Sequence, residues 1–363
     1  MNKARIGIIG CGCISGIYLK NLCTRFHNTT VAAVADLIPE RVENAAREYG
    51  IPKILTDREM CADPDIDIIL NITTPPDHYA LCKMALEAGK PVHTEKPLSV
   101  RREQGAELLA LAESKGLLLG GAPDTFMGAG IQTARKLVDD GWIGDIIGAT
   151  AFMTCHGHES WHPDPAFYYK TGAGPLFDMG PYYLTALVNL IGPIAAVTAE
   201  AKTTFPVRTI TSAPHYGETI DVEVNTHYSS TLTFENGAYA TILMSFDVWG
   251  AELPRIELYG TRGTISVPDP NTFGGQVKVF LSHTKQWETV PLTHHYADNS
   301  RGLALADMAC ALREGRGNRA SGRLAFHVLD TMHAIDEAAA LGRRVEVKST
   351  CDRPVPVNPE WNA

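Results

Sequence analysis

Between residues 10 and 16 the chain reads Gly10-Cys11-Gly12-Cys13-Ile14-Ser15-Gly16. Glycines in this pattern, set between an apolar run and a helical period, let backbone N–H groups at a helix N-terminus approach a pyrophosphate. Ser15 occupies the third glycine position and is small enough for the close helix-to-strand packing required there. Asp36 ends the next apolar run, where a carboxylate accepts hydrogen bonds from ribose hydroxyls. Gly10, Gly12, Cys13, Ile14, Ser15 and Asp36 thus form a candidate dinucleotide site. The anion at Asp36 repels a 2′-phosphate, and Leu37 and Ile38 bring no cation, so NAD is favoured over NADP. Arg41 is close enough in sequence to leave NADP open.

A second set is Glu95-Lys96-Pro97, at the end of a later apolar run. Open α/β sheets bind ligands beyond the carboxyl ends of their strands. Oxidising a secondary alcohol by hydride transfer requires loss of the hydroxyl proton, which a positioned donor or acceptor must follow. A free lysine, with a pKa of about 10.4, is too strongly protonated to act as a base at neutral pH. Desolvation and a positive nicotinamide ring both lower it. Lys96 is therefore the candidate for the proton. Its bland reading is a surface lysine lying along a turn.

The third set is His156-Gly157-His158-Glu159-Ser160-Trp161-His162-Pro163, leading to Phe167-Tyr168-Tyr169. A sugar presents hydroxyls to polar side chains and a weakly apolar C–H face to an aromatic ring. Trp161 with His156, His158 and His162 suits a polyol. The spacing His-x-His-x-x-x-His also matches zinc ligation, but hydride transfer needs no metal and none is expected. A histidine-rich surface loop is the alternative without function.

These groups need a frame. Residues 5–10, 31–36, 67–72, 91–94 and 117–121 are short apolar runs. Helical periods at 17–26, 39–49, 77–87 and 100–115 separate them, with Gly50, Gly89 and Gly116 at helix ends. Strands alternating with helices of this length imply a parallel sheet covered on both faces, a doubly wound Rossmann domain. After about residue 122 long β-prone segments follow one another. Residues 222–234 and 238–246 flank Asn236-Gly237 as an antiparallel hairpin, and 255–258 with 264–267 look similar. Helices return at 182–190 and across 302–341, with a break near 315–322. The expected fold is an α/β Rossmann domain over 1–122 and an α+β domain over 123–363 with a large, mostly antiparallel open sheet.

With the elements in place, a resemblance appears. Gly10-Cys11-Gly12, Asp36, Thr74-Pro75-Pro76 with His78, Ala88-Gly89-Lys90-Pro91-Val92, Glu95-Lys96-Pro97 and Phe177-Asp178-Met179-Gly180 resemble the Gfo/Idh/MocA oxidoreductase family, which includes glucose–fructose oxidoreductase and inositol 2-dehydrogenase. The resemblance covers essentially the whole chain, and the Glu-Lys-Pro element is its most specific part. It implies that Thr74, Pro75, His78 and Glu95 line the cofactor and that Lys96 meets the reacting carbon, often through a cis Lys-Pro bond. It also implies a substrate pocket in the second domain and oligomers formed through its sheet, a homodimer or homotetramer. Many members carry Asp-x-Gly-x-His, whereas here Asp178-Met179-Gly180-Pro181-Tyr182 places a tyrosine at the histidine position. By the same resemblance Tyr182 is a proton donor and acceptor, since a nearby ammonium lowers a phenol pKa from about 10. Asp178 is either an N-cap, given Pro181 in the following turn, or a substrate ligand. Tyr183 is expected to pack.

Composition limits the rest. Acidic residues outnumber basic ones by 41 to 32, and the basic ones are scattered, so no surface is built to neutralise a nucleic-acid backbone. No run approaches the roughly 20 apolar residues of a membrane span, and residues 6–19 lack a signal-peptide cleavage site. A cytoplasmic protein is expected. The eight cysteines include no C-x-x-C pair and no zinc-ribbon spacing, and most are expected to be small buried apolar residues. The expected activity is NAD-dependent oxidation of a secondary alcohol of a sugar, sugar derivative or cyclic polyol, with Lys96, Tyr182 and Asp178 as catalytic groups. The alternative is a glycosidase or epimerase that retains NAD and passes through a transient ketone. A sensor without enzymatic activity is the third reading, against which the proton-transfer groups argue.

Overall fold

Apolar runs that alternate with amphipathic helices can bury both faces only as a parallel sheet. The computed structural model describes residues 3–363. Its first part runs β1 (Ala4–Ile9), α1 (Ser15–Thr24), β2 (Thr29–Ala35), α2 (Pro39–Tyr49), β3 (Lys53–Ile54), α3 (Asp57–Ala62), β4 (Ile68–Asn71), α4 (Pro75–Glu87), β5 (Val92–Thr94), α5 (Arg102–Lys115) and β6 (Leu119–Gly121). The strands lie in the order β3-β2-β1-β4-β5-β6 and all pair in parallel. Ile68, Ile69 and Leu70 are buried in succession, as covering on both faces demands. The strand order reverses between β1 and β4, so the loops after these two strands open onto one crevice.

The chain continues through α6 (Ala129–Asp139), β7 (Ile146–Thr154), α7 (Gly174–Leu190), β8 (Ile194–Lys202), β9 (Val207–Thr209), β10 (Thr219–Asp221), β11 (His227–Phe234), β12 (Tyr239–Ser245), β13 (Ile256–Gly260), β14 (Gly263–Val267), β15 (Val277–Leu281), β16 (Trp287–Val290), α8 (Leu303–Glu314), α9 (Gly322–Leu341) and β17 (Val345–Glu346). Nine strands form one sheet, ordered β16-β15-β14-β13-β7-β12-β11-β8-β17. Every pair is antiparallel except β12 with β7. The hairpin at Asn236-Gly237 forms as the sequence requires, with Gly237 at φ +87°. Burial alternates along β11, the mark of a sheet with one face packed and one free.

The chain divides into two compact units, one of residues 1–128, 294–329 and 357–363, the other of 129–293 and 330–356. The expected division into 1–122 and 123–363 did not include this return. Its cause is specific pairing within the first unit. Asp124 accepts the N–H groups of Gly302 and Ala304 at 2.9 and 3.2 Å, capping α8. Asn28 donates to Ala306 O at 2.8 Å, and Asn21 to Asn299 O and Arg301 O at 3.0 and 2.8 Å. None of these partners is signalled locally.

Candidate active site

The glycine loop joins β1 to α1, so the first N–H groups of that helix are oriented by the loop itself. Gly10 has φ +105°, and a Cβ there would lie 2.8 Å from Ile72 O, so only glycine lets β1 and the loop after β4 approach this closely. At Gly12 and Gly16 a Cβ would meet no protein atom within 4 Å. The open space at these two positions leaves room for an anion at the helix N-terminus. Ser15 turns inward, its Oγ donating to Gly12 O at 2.7 Å, while Cys13 and Ile14 are exposed on the rim. Asp36 is fixed by two backbone donors, Cys11 N at 2.6 Å to Oδ2 and Ile38 N at 2.9 Å to Oδ1. Its carboxylate is thereby held against the glycine loop.

Thr74 and Pro75 open α4, with Thr74 Oγ1 donating to Asp77 at 2.7 Å. His78 is fully buried, its Nδ1 2.8 Å from Pro97 O and its Nε2 3.2 Å from Thr73 O. Burial lowers its pKa despite those contacts. It ties the loop after β4 to the turn after β5. Glu95 accepts from Tyr18 Oη at 2.6 Å and from Lys96 N at 3.0 Å. The Lys96-Pro97 peptide is cis, and Lys96 is half-buried. The turn that presents Lys96 is thus anchored on both sides of the residue.

In the second unit, α7 carries Asp178 and Tyr182 four residues apart, roughly one turn, on a shared face. The N-cap role for Asp178 is overturned. Gly174, at φ +80°, and Pro175 start the helix a full turn earlier, with Pro175 in the first turn where its missing N–H costs nothing. Pro181 therefore lies inside the helix. Asp178 is half-buried and faces His158, whose Nε2 is 3.4 Å from Oδ2. His158 is enclosed edge-on by Trp161, Tyr168 and Phe246. His162 accepts from Asp164 N at 3.0 Å and meets Phe167 and Tyr168. His156 stacks on Trp249, and Trp161 is 61% exposed. Tyr182 is 8% exposed, while Tyr183 is fully buried and packs as expected. Among the described residues no three His, Cys, Asp or Glu side chains group as a metal site.

Residues 4–121 match the oxidoreductase family with an NAD-binding Rossmann fold, and residues 131–266 match the GFO/IDH/MocA C-terminal domain. The chain belongs to the GFO/IDH/MocA oxidoreductase family. It is 27% identical over 260 residues to the uncharacterized oxidoreductase YrbE of Bacillus subtilis, covering 71% of this chain and 72% of that one. It is 30% identical over 192 residues to the trans-1,2-dihydrobenzene-1,2-diol dehydrogenase of Bos taurus, covering 52% of this chain and 56% of that protein. The alignment thus spans little more than half of that relative. A solved structure of levoglucosan dehydrogenase with NADH and levoglucosan shares the fold, with a TM-score of 0.82 at 22% identity, covering 96% of this chain and 100% of the other.

Two structural residues of this GFO/IDH/MocA chain carry no mark in the sequence. Tyr18 is buried on α1, and its hydroxyl holds Glu95. Burial, then the neighbouring Glu95 charge, drives its pKa well up, so it stays a donor. Arg208 sits on the three-residue strand β9, 4% exposed, beneath the histidine loop. Tyr18 follows the helical period and so looks like core. Arg208 lies some fifty positions from the loop it holds, where no local pattern reaches. No helix among the described residues is long and apolar enough to cross a membrane.

Proposed function

We propose that this oxidoreductase is an NAD-dependent dehydrogenase of a secondary alcohol in a sugar, sugar derivative or cyclic polyol, with Lys96 and Tyr182 moving the hydroxyl proton. The observation that carries the reading is the group on and around α7: a carboxylate at Asp178, a phenol at Tyr182, an imidazole at His158 and several aromatic edges. Polar groups set among rings match the hydroxyls and C–H faces of a carbohydrate. The cradle at Gly12 and Gly16 and the fixed Asp36 carboxylate fit a dinucleotide, and Asp36 favours a ribose hydroxyl over a 2′-phosphate.

Bound nicotinamide supplies the acceptor for the hydride. The residues of the chain do the rest. Glu95 takes the Lys96 N–H and the Tyr18 hydroxyl, fixing the backbone from which the Lys96 amine works. Lys96 and Tyr182 are each assigned to the proton of the substrate hydroxyl, and Asp178 orients that hydroxyl with His158. The protein acts in the cytoplasm, a reducing compartment suited to eight unpaired cysteines.

The test is a spectrophotometric screen of D-xylose, D-glucose, myo-inositol and levoglucosan with NAD and with NADP. Reduction of NAD by at least one of them is expected. Lys96→Met should lower kcat by about 10²- to 10⁴-fold, the range of a general acid–base group, while NAD binding by fluorescence titration is kept. Unaltered turnover in that variant rejects the assignment. Tightly retained NAD with product formed and no net NADH would favour the glycosidase or epimerase reading.

A further inference from the structure

The loop carrying His156, His158, Trp161 and His162 is tied into the second unit through one buried arginine. The Arg208 guanidinium meets two carboxylates, Glu159 with Nη1 to Oε1 at 2.5 Å, and Asp247. The same nitrogens donate to His156 O at 3.4 Å and to Phe246 O at 2.8 Å. Tyr169 donates its hydroxyl proton to Glu159 and accepts from His158 N at 3.3 Å. Thr226 donates to Asp247 at 2.8 Å. Glu159 O takes the N–H groups of Thr211 and Ser212 at 2.8 and 3.0 Å. The rings of Tyr169 and Phe205 lie 5.1 and 5.2 Å from the guanidinium carbon, and Phe205 meets His156 edge-on.

Gly157 shows how closely the loop is drawn onto this cluster. Its φ is +83°, and a Cβ there would strike Tyr169 Oη, Glu159 Oε2 and Arg208 Nη1 together. Burial alone would raise the Glu159 pKa, but the hydrogen bonds from Tyr169 and Arg208 outweigh it and lower it, so the cluster is ionic. A simple strut needs no ions, because buried ion pairs are costly to desolvate and well-packed apolar groups hold a fold as well. What a planar guanidinium adds is direction, since its fixed fork sets the positions of several acceptors at once.

We propose that Arg208 is a positioning residue for substrate: by fixing the His156 backbone and the Glu159 side chain, it keeps His158 against Asp178. The proposal rests on the reading of Asp178 and the 156–162 loop as substrate ligands. Arg208 touches no reacting atom; it acts through the loop.

The test uses the full-length protein with Tyr169→Phe, which removes one hydroxyl and keeps the ring, and Arg208→Lys, which keeps the charge and loses the fork. Hydrogen exchange read by mass spectrometry should speed up about tenfold at amides 156–162 and 211–212 in both, with β11 and β12 unchanged. With whichever sugar of the panel turns over fastest, KM should rise about tenfold, kcat should change far less, and the NAD dissociation constant should not move. Unchanged loop exchange overturns the proposal, as does acceleration spread equally through β11 and β12, or a faster loop with KM unaltered. If Arg208→Lys does not fold, Tyr169→Phe decides the matter. The exchange readout needs no substrate, so turnover retained in Lys96→Met would reject the catalytic reading without touching it.

Discussion

Tyr18→Phe isolates what a single hydroxyl does for the Lys96 turn. The variant keeps the ring and its burial, but Glu95 loses its 2.6 Å donor and keeps Lys96 N. Hydrogen bonds to a charged acceptor contribute about 1.5–3 kcal/mol, and a loss of that order in denaturant unfolding is expected, with a lower kcat and little change in sugar KM. Unchanged stability and kcat would show that Glu95 finds another partner. Asp36→Ala tests cofactor choice. If the carboxylate selects ribose hydroxyls, the preference for NAD over NADP should narrow by about tenfold, or about 1.4 kcal/mol. If Asp36 only orders the loop through Cys11 N and Ile38 N, both cofactors weaken alike. At this scale Asp36 and Lys96 were legible from type and position, because each has to stand at the end of a strand. Tyr18 was not, because an aromatic at a helical period is core in most sequences.

Among the elements, β5 places His93 in the core beneath the turn it leads into. His93 is 1% exposed, and neither ring nitrogen has a hydrogen-bond partner among the described residues. Burial lowers its pKa to about 4, only partly offset by the Glu95 charge. The folded state therefore holds the neutral ring, while the unfolded chain binds a proton near pH 6.5. Stability from this site is present above pH 6.5 and is lost as pH falls toward 4. Asp124 works the other way. Burial pushes its carboxyl up to about 6 against the opposing Arg301 charge, so its contribution is present below about pH 3.8 and is lost as pH rises through 6. The His93 part is read by difference: between pH 7 and 5 the wild type should lose more stability than His93→Leu in urea unfolding. Parallel pH curves would show that His93 is not buried as a neutral ring. For α7, Pro181 marked a helix start in the sequence, but Gly174-Pro175 begins it a turn earlier. A proline is tolerated inside a helix when packing outweighs one lost hydrogen bond, and every residue from Gly180 to Leu190 is buried.

For the whole molecule, we propose that copies of the chain associate through the free face of the nine-stranded sheet. Thr198, Ser229, Thr231, Tyr239 and Thr241 are exposed on adjacent strands β8, β11 and β12, and Ile147 on β7 is 58% exposed. A homodimer or homotetramer is expected in light scattering, and Tyr239→Glu with Thr241→Glu should shift it to monomer. A monomeric wild type would reject this face as an interface. The sequence by itself determined the parallel sheet, the hairpin at Asn236-Gly237, the glycine loop between β1 and α1 and the Glu95-Lys96-Pro97 turn, because each depends on neighbours in the chain: an alternation of apolar runs, a turn pair, glycines between strand and helix. Only the tertiary structure decided that His158 faces Asp178, that Tyr18 anchors Glu95, that Arg208 lies under the histidine loop and that residues 294–329 rejoin the first unit. Those pairings join groups 20, 77 and about 50 positions apart, or more. Nothing local encodes such contacts, since they arise from which faces the packed elements bring together.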